Sequence, residues 1–244
     1  MIISKQNSLI KEIRSLQNKK FRESLNRYFV EGVKMVNEAF KFKQKVLCVI
    51  STESNLSRLE VGDFPVEIVS EEVFNSISEE KSPQGVLAVI EKPLVNKFAG
   101  DQSVLLLDGV SDPGNLGTII RTMVASGYKS LYLTNDCADV FSPKVVRASM
   151  SGIFNVNLFF LDRNEVKKTI DLPIIVADMH GEDVFKFKAP QNFCLVIGNE
   201  AHGVSEEIRN IADCFVKIPM EQEMESLNAG ISAGILMYTL KNGR

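Results

Sequence analysis

The sequence predicts an α/β protein whose C-terminal part folds around a parallel β-sheet, with a smaller α/β unit before it. Helix-like and strand-like segments alternate along the chain, which favours this class. The strand-like segment 103–110 is a continuous apolar run, as in parallel strands covered on both faces. The 244 residues are 45% hydrophobic and 24% charged, which is typical of globular proteins. No apolar run reaches the ~18 residues of a membrane span, so we expect no membrane partner.

The N-terminal unit is predicted to cover residues 1–93. Its apolar residues recur at helical spacing in some stretches and form continuous runs in others. The predicted helices are 8–20, 28–40 and 71–78, and the predicted strands are 45–51, 66–70 and 82–93. The stretch 94–102 is the predicted linker, and residues 103–244 form the predicted second domain.

The second domain is predicted to contain five strands with helices between them, and therefore a parallel sheet covered by helices on both faces. The predicted strands are 103–110, 130–136, 172–181, 193–200 and 214–220, and the predicted helices are 115–127, 142–152, 202–212 and 226–240. Ser205 is the candidate N-cap of the third of these helices. Ligands of open α/β sheets bind outside the carboxyl ends of the strands, so the loops at those ends are the candidate site.

Charge is distributed unevenly along the chain. The net charge is −3, but residues 1–45 hold 11 Lys and Arg against 4 Asp and Glu. Such a segment is either a docking face for a polyanion or a solvated helix surface. The four cysteines are scattered without a CxxC pair, which favours reduced thiols over disulfides or a metal site. The first residues lack the apolar core of a signal peptide, so we expect a cytoplasmic protein.

The loop 108–122 contains a turn followed by a helix that carries an arginine. Asp112-Pro113-Gly114 is a turn signal, and Asn115 or a neighbour begins the helix. Arg121 lies off the apolar stripe of this helix, on a face of small residues. It is either an ordinary exposed arginine or a group that a bulky anionic ligand can approach.

The loop 196–205, "VIGNEAHGVS", is similar in its glycine spacing to a nucleotide-binding P-loop. Val204 occupies the position of the P-loop lysine, which argues against a nucleotide hydrolase. Gly198 permits a close backbone approach to a ligand. Glu200 is expected to pair with a nearby arginine or to bind a ligand amine or hydroxyl, and His202 has no assignment.

The loop 218–234, "IPMEQEMESLNAGISAG", precedes a helix that contains Gly230 and Gly234. A glycine inside a helix costs roughly 1 kcal/mol relative to alanine, so two of them within five residues need a reason. Close packing against another backbone provides one, either at a dimer seam or in a tightly threaded chain.

Together these three loops resemble, in order, the motifs of the SpoU family of RNA 2′-O-ribose methyltransferases, in the SPOUT class. The resemblance implies a deep trefoil knot in the C-terminal domain and S-adenosylmethionine bound in a bent conformation within it. It also implies a homodimer. The N-terminal unit, with "YFVEGVKMVNEA" and "SPQGVLAV", is similar to the ribosomal-protein-like RNA-binding domain of many members.

The resemblance also implies roles for individual residues. The predicted catalytic residues are Asn115, Arg121, Glu200, Ser226 and Asn228. The predicted cofactor contacts are Gly198, Ile218, Met220, Leu227 and Thr134. One departure is Ala201, which replaces the middle glycine of a motif that often reads G-N-E-G-x-G.

The activity implied is methyl transfer to a ribose 2′-hydroxyl without a metal. Arg121 is expected to activate the hydroxyl or to hold the phosphate and stabilise the developing alkoxide, with Asn115 and Glu200 fixing it. Ribosomal RNA is the favoured substrate. The alternatives are transfer RNA, or an RNA-binding module with a vestigial cofactor pocket. The predicted contacts to RNA phosphates are Lys5, Lys11, Arg14, Lys19, Lys20, Arg22 and Arg27.

Overall fold

The structure is a computed structural model that describes residues 1–59, 64–93, 102–221 and 226–242. The contacts of the chain divide it into two units. One unit comprises Met1–Leu94 together with Asp139–Phe154, and the other comprises Val95–Ala138 together with Asn155–Arg244. The segment Asp139–Phe154 therefore packs with the N-terminal unit, whereas the sequence analysis assigned it to the second domain. The predicted linker 94–102 lies outside the described residues except at its last position.

The helices and strands follow one another along the chain as follows. The first half contains α1 (Ser8–Ser15), α2 (Lys19–Leu25), β1 (Arg27–Glu31), α3 (Val33–Lys41), β2 (Val46–Thr52), β3 (Val66–Val69), α4 (Glu71–Asn75) and β4 (Val86–Glu91). The second half contains β5 (Val104–Asp108), α5 (Pro113–Ala125), β6 (Ser130–Thr134), α6 (Pro143–Ser149), β7 (Asn157–Leu161), α7 (Val166–Thr169), β8 (Ile174–Asp183), β9 (Cys194–Gly198), α8 (Glu206–Arg209), β10 (Cys214–Lys217) and α9 (Ala229–Asn242).

The first unit contains a four-stranded sheet in the order β1-β4-β2-β3. The β1–β4 and β4–β2 pairs are antiparallel, and the β2–β3 pair is parallel. Ile10, Ile13 and Leu16 of α1 and its C-cap are fully buried in the apolar core on this sheet. The unit is thus an α/β layer structure, as the sequence predicts.

Two helix predictions in this unit are wrong in detail. The predicted helix 8–20 is divided into α1 and α2. The Asn18 side chain caps α2 by accepting from the Lys20 N–H at 3.0 Å, so a new helix begins there. Residues 28–31 of the predicted helix 28–40 lie in β1. Tyr28, Phe29 and Val30 are consecutive buried residues of types that favour strands, and Gly32, at φ +96°, separates them from α3.

A buried ion pair joins the two segments of the first unit. Arg22 is 3% exposed, and its Nε and Nη2 donate to Asp139 Oδ2 at 2.9 and 2.6 Å. Its Nη1 donates to the carbonyl of Leu16 at 2.6 Å. The predicted contact of Arg22 with RNA is therefore wrong, because its guanidinium is buried and bonded within the protein.

The second unit contains a six-stranded sheet in the order β10-β8-β9-β5-β6-β7, in which every pair is parallel. The parallel sheet was predicted from the sequence, but with five strands and not six, because β7 was missed. This strand lies at the sheet edge, where Phe160 is 48% exposed. The trefoil knot stays a prediction. Among the described residues, no helix is both long and apolar enough to cross a membrane.

Candidate functional site

The three loops singled out in the sequence begin at the carboxyl ends of strands in the second unit. In the β5–β9 pair, Asp108 lies opposite Gly198, so the loops that follow these two strands start side by side. The third loop follows β10 and leads to α9. The sheet therefore gathers the chemistry-bearing loops at one edge, as expected for an open parallel sheet.

The turn before α5 places an asparagine side chain at this edge. Asp112 is the N-cap of α5, Pro113 occupies the first turn, and Asp112 Oδ1 accepts from the Asn115 N–H at 2.8 Å. Asn115 is consequently in the first turn of the helix, and it is 9% exposed. The cap fixes the helix start and thereby the position of the Asn115 amide.

Three side chains, one from each loop region, form a hydrogen-bonded relay. Asn115 Nδ2 donates to Glu200 Oε1 at 2.9 Å, and Asn228 Nδ2 donates to Asn115 Oδ1 at 2.8 Å. Asn228 Oδ1 in turn accepts from the N–H of Gly230 at 2.9 Å, at the start of α9. The relay thus connects β9, α5 and α9, and it determines how both amide groups are oriented.

Glu200 is the acceptor end of this relay. Its Oε2 accepts from the Ser111 N–H and the Ser111 hydroxyl, both at 3.1 Å, and its Oε1 accepts from the Asp112 N–H at 3.1 Å. Burial raises the pKa of the Glu200 carboxyl, but the hydrogen bonds from Asn115 and from the backbone of the loops outweigh it and lower the pKa to about 2. Glu200 is therefore ionised at neutral pH.

The loop that carries Glu200 closes on itself. The N–H of Asn199 donates to the carbonyl of Gly203 and the N–H of Gly203 donates to the carbonyl of Asn199, both at 2.9 Å. A Cβ on Gly198 would lie 2.3 Å from the Gly203 carbonyl carbon. The close backbone approach that requires glycine at 198 is therefore made by the loop itself. Gly203 has φ +70°, which favours glycine for its conformational freedom.

A cavity of about 730 Å³ opens beside the relay. This volume lies within the ~300–1,000 Å³ typical of small-molecule pockets. Eight of the ten predicted catalytic and cofactor residues line it: Asn115, Gly198, Glu200, Ile218, Met220, Ser226, Leu227 and Asn228. The structure thus brings together residues that are up to 113 positions apart in the sequence.

Arg121 and Thr134 do not line this cavity. Arg121 is exposed on α5 and forms no hydrogen bond or ion pair with another described residue. The prediction that Asn115 and Glu200 fix Arg121 is wrong, because these two side chains bond each other and the loops. Thr134 is buried, where its hydroxyl accepts from the Gly109 N–H at 2.9 Å and donates to Asp136 Oδ1 at 2.6 Å.

A second polar network, which the sequence analysis missed, supports the loops from the other side. Arg163 Nε donates to the fully buried Asp108 Oδ1 at 2.6 Å, and its Nη2 donates to Asp136 Oδ2 at 2.7 Å. Asp108 Oδ2 accepts from the N–H of Ser205 at 2.7 Å. Ser205 is the N-cap of α8, as predicted. Nothing in the sequence near Arg163 indicates this role.

The glycines of α9 are explained by packing within the chain. A Cβ on Gly230 would lie 3.2 Å from the Thr118 Cγ2, and a Cβ on Gly234 would lie 3.4 Å from the Thr122 Cγ2. Both threonines belong to α5. The close packing predicted from the glycines is thus contact between α9 and α5.

The predicted RNA contacts in the N-terminal segment differ in what they bond. Four form ion pairs or hydrogen bonds: Lys5 with Glu72 at 2.7 Å, Arg14 with Ser76 Oγ at 2.9 Å, Lys19 with Glu23 at 3.8 Å, and Arg27 with Glu12. Lys11 and Lys20 are exposed, and neither forms an ion pair with a described residue. Together with the buried Arg22, these pairs reduce the free positive charge that the sequence predicts.

The cavity wall also contains charged residues that the sequence analysis did not single out. Asp178 and Arg209 form an ion pair there, and His202 lines the same cavity. Asp178 follows the apolar run 174–177, and an acidic residue at the end of a buried strand is a signal that could have identified it. In the part of the chain that the structure covers, no three His, Cys, Asp or Glu side chains are grouped to hold a metal ion.

The fold is that of an α/β protein with a cavity of small-molecule size outside the carboxyl ends of parallel strands. Residues 102–238, more than half of the chain, match the model of the SpoU rRNA Methylase family, and residues 7–88 match the MRM3-like substrate binding domain. The chain belongs to the SpoU rRNA Methylase family, which confirms the resemblance inferred from the three loops.

Similar proteins match over nearly the whole chain. The 23S rRNA (guanosine(2553)-2′-O)-methyltransferase of Bacillus subtilis is 32% identical, over 98% of this chain and 98% of its own. The SpoU methyltransferase of Streptomyces viridochromogenes, solved in complex with AdoMet, superposes with a TM-score of 0.89 at 26% identity, covering 98% of each chain. The AdoMet-bound rRNA methyltransferase of Sinorhizobium meliloti also has a TM-score of 0.89 at 26% identity, covering 99% of this chain and 97% of its own.

The Glu200 carboxylate should stabilise the protein in a pH-dependent way. Its pKa in the folded state lies below the ordinary value of 4.5, so the ionised form adds stability above that pH and the contribution is lost as the pH falls to about 2. Because Glu200 is exposed and screened by solvent, we expect Glu200→Gln to cost only about 1 kcal/mol at pH 7 and almost nothing near pH 2.

Urea unfolding across this pH range measures the difference. The exposed Glu182→Gln, on β8, is the matched control and should change stability by less than about 0.5 kcal/mol. A cost of Glu200→Gln that does not depend on pH would contradict the role of the carboxylate charge.

Proposed function

We propose that this protein transfers a methyl group from S-adenosylmethionine to a ribose 2′-hydroxyl of ribosomal RNA. The observation that carries the proposal is the relay Glu200–Asn115–Asn228, which joins the three family motifs around one cavity. The alternative of an RNA-binding module with a vestigial pocket is an outcome of the test below.

The residues around the cavity fit S-adenosylmethionine, which supplies a methyl group on an electrophilic sulfonium. Ile218, Met220 and Leu227 offer apolar surface, and the backbone at Gly198 offers polar groups. Among the described residues that line the cavity, the Lys and Arg side chains are Lys217 and Arg209, and Arg209 is paired with Asp178. The proposed cofactor contacts are therefore Gly198, Ile218, Met220 and Leu227, without Thr134.

The chain's own residues have two kinds of role in this proposal. Asn115, Glu200 and Asn228 hold the loops in place, and Ser226 borders the same cavity. Arg121 has an exposed guanidinium without a bonding partner among the described residues. A guanidinium stays protonated at neutral pH and only donates hydrogen bonds. We therefore assign Arg121 to holding an RNA phosphate and stabilising the developing alkoxide, and not to removing the proton.

Ribosomal RNA is preferred to transfer RNA as the substrate for two reasons. One relative that covers 98% of the chain is named as a 23S rRNA methyltransferase, and residues 7–88 match a substrate-binding domain. We assign the N-terminal unit to RNA binding, and by analogy with the bacterial relative we assign the activity to the cytoplasm. Lys11 and Lys20 are its foremost candidates for phosphate contacts, ahead of the paired Lys5, Arg14, Lys19 and Arg27.

We also infer a homodimer formed through the second unit. Ile231 and Tyr238 lie seven residues apart on α9, hence on one face, and are 56% and 46% exposed. Ile235, between them, is half-buried. An exposed apolar stripe on a helix is typical of an interaction surface. The glycines of α9 do not support the dimer, because their packing is satisfied by α5.

The activity is tested by transfer of labelled methyl from S-adenosylmethionine to total RNA, followed by mapping of 2′-O-methyl positions. We expect incorporation into ribosomal RNA by the wild type and a loss of at least about 100-fold in Arg121→Ala, the order found when one electrostatic stabiliser is removed. Cofactor affinity should not change in this variant, because Arg121 lies outside the cavity lining. Incorporation only into transfer RNA, or none at all, would contradict the proposal.

The salt dependence of RNA affinity tests the assigned RNA contacts. Each phosphate contact on single-stranded RNA contributes about 0.7 to the slope of log affinity against log salt, so Lys11→Ala and Lys20→Ala together should lower the slope by about 1.4. Arg22→Met serves as the contrast, because it removes a buried cation. It should reduce stability and leave the slope unchanged. An unchanged slope in the lysine variants would exclude them from the RNA-binding surface.

Light scattering tests the dimer. We expect a molar mass of twice the 27.2 kDa chain for the wild type, and of one chain for Ile231→Asp, because the substitution places a charge on the apolar stripe. Phe185→Asp is the control, since Phe185 is 62% exposed but belongs to the segment after β8 and not to α9. A monomeric wild type would refute the inference.

A further inference from the structure

The cavity beside the relay has two carboxylates in its wall, Glu200 and Asp178. Glu200 already accepts four hydrogen bonds from the protein, from Asn115, Asp112 and twice from Ser111. A carboxylate has about four lone-pair positions in total. Glu200 therefore has little acceptor capacity left for a ligand, and its function in the cavity is to hold the loops.

Asp178 differs because its acceptor capacity is only partly used. Its Oδ1 accepts from the N–H of His180 at 2.8 Å, and its Oδ2 accepts from Nη1 of Arg209. Each oxygen thus retains a lone pair. The side chain is 12% exposed, so the remaining capacity is available where it borders the cavity.

Asp178 is held in a fixed position. The Arg209 guanidinium that binds it also lies over the ring of Phe215, 5.3 Å from the centroid, which restrains the arginine. Burial raises the pKa of Asp178, but the hydrogen bonds from Arg209 and the His180 N–H outweigh it, so the pKa is lowered. The carboxylate is therefore ionised at neutral pH and oriented before a ligand binds.

The strand pairing explains why this side chain borders the cavity. β8 pairs with β9 only over Ile174–Val176, so Ala177 and Asp178 lie where the two strands no longer pair. On the other side of β8, the backbone of Phe215 and Val216 approaches Gly181 so closely that a Cβ there would lie 2.4 Å from the Val216 nitrogen. The β8–β10 register shifts between Phe215 and Val216, so residues 177–181 have no partner in either neighbouring strand, and the cavity beside them is lined by residues of both β9 and β10.

The chemistry of the pair selects among the groups of S-adenosylmethionine. Arg209 already balances the charge of Asp178, so a second cation such as the amino group of the methionine part gains little there. Neutral donors still gain a charge-assisted hydrogen bond. The ribose carries two adjacent hydroxyls, which match the two oxygens of one carboxylate.

Resting on the proposed function, we propose that Asp178, oriented by Arg209, binds the ribose 2′- and 3′-hydroxyls of S-adenosylmethionine. Asp178 is then a specificity-determining residue for the nucleoside part of the cofactor, separate from the relay. Arg209 is a positioning residue that acts through Asp178.

Calorimetric binding to the full-length protein tests this without any methyl transfer. The probes are S-adenosylhomocysteine and its 2′-deoxy and 3′-deoxy analogues. A hydrogen bond to a charged group contributes enough that its loss should weaken binding about tenfold. We expect Asp178→Ala to bind S-adenosylhomocysteine at least tenfold more weakly than the wild type. Each deoxy analogue should lose about tenfold on the wild type and almost nothing on Asp178→Ala, because the hydroxyls and the carboxylate act as a pair.

Two further variants make the result specific. Asp183→Ala lies on the same strand outside the cavity lining and should leave affinity unchanged. Asp178→Asn retains one acceptor oxygen and should fall between the wild type and Asp178→Ala, which covers the case in which the alanine variant does not fold.

The inference is overturned if the wild type binds the deoxy analogues as tightly as S-adenosylhomocysteine, or if the analogues lose the same affinity on Asp178→Ala and Asp178→Asn as on the wild type. It is also overturned if S-inosylhomocysteine, which lacks the 6-amino group, binds the wild type more weakly than S-adenosylhomocysteine does while the Asp178 variants bind the two equally. Asp178 would then contact the base and not the ribose. Cofactor binding without methyl transfer to RNA would refute the proposed function alone. No binding of S-adenosylhomocysteine at millimolar concentration would refute both.

Discussion

The hydrogen bonds that Glu200 accepts are the interaction on which the arrangement of the site depends. One carboxylate takes donors from the loop after β5 and from the first turn of α5, while its own residue belongs to the loop after β9. Asn115 in turn accepts a hydrogen bond from Asn228 at the start of α9, so the position of Asn228 is fixed as well. Backbone N–H groups at a helix start have no partner within the helix. Glu200 accepts from two backbone N–H groups just before α5, those of Ser111 and Asp112. Asn228 accepts from two at the start of α9, those of Gly230 and Ile231, so the same side chains orient the site and satisfy the helix starts.

This relay requires the sheet to bring its members close together. Because β5 and β9 are adjacent and in register, their loops begin beside each other although 90 residues separate Asp108 from Gly198. Asp108 supports the arrangement from below, since its buried carboxylate holds both Arg163 and the N–H of Ser205. Removing one partner of such a buried pair costs roughly 3–5 kcal/mol, far more than a surface ion pair contributes. Two carboxylates thus hold the loops: Glu200 bonds the loops beyond the strand ends, and Asp108 bonds them at the end of β5.

The elements predicted from the sequence are those that a local pattern of residues indicates. Features that depend on contacts between residues distant in the sequence were not predicted. Strands such as β5 and β9 were found because a buried parallel strand is a continuous apolar run. β7 was missed although it is as long as β5 and β9; it is an edge strand in which Phe160 is exposed. Arg22 was misread because a basic residue in a basic segment resembles a surface cation until its partner Asp139, 117 residues away, is known. Eight of the ten residues that the resemblance predicts as catalytic or cofactor contacts line one cavity, while their roles stay predictions. Arg163 acts through partners distant in sequence, which no local pattern indicates, whereas the position of Asp178 after an apolar run is a local signal that was not used.

The site separates groups that are satisfied from groups that retain bonding capacity. The relay of Glu200, Asn115 and Asn228 is hydrogen-bonded internally and to the backbone. Its polar groups are therefore satisfied within the protein and have few donors or acceptors left for a ligand. Arg121, which is exposed on α5, retains hydrogen-bond donors. Asp178, in the cavity wall, retains hydrogen-bond acceptors. A ligand gains most from groups that are oriented but not saturated, because forming the contact then requires neither reorganisation nor the loss of an existing bond. The saturated relay therefore fixes the geometry, and substrate or cofactor contacts are expected at the unsaturated residues around it.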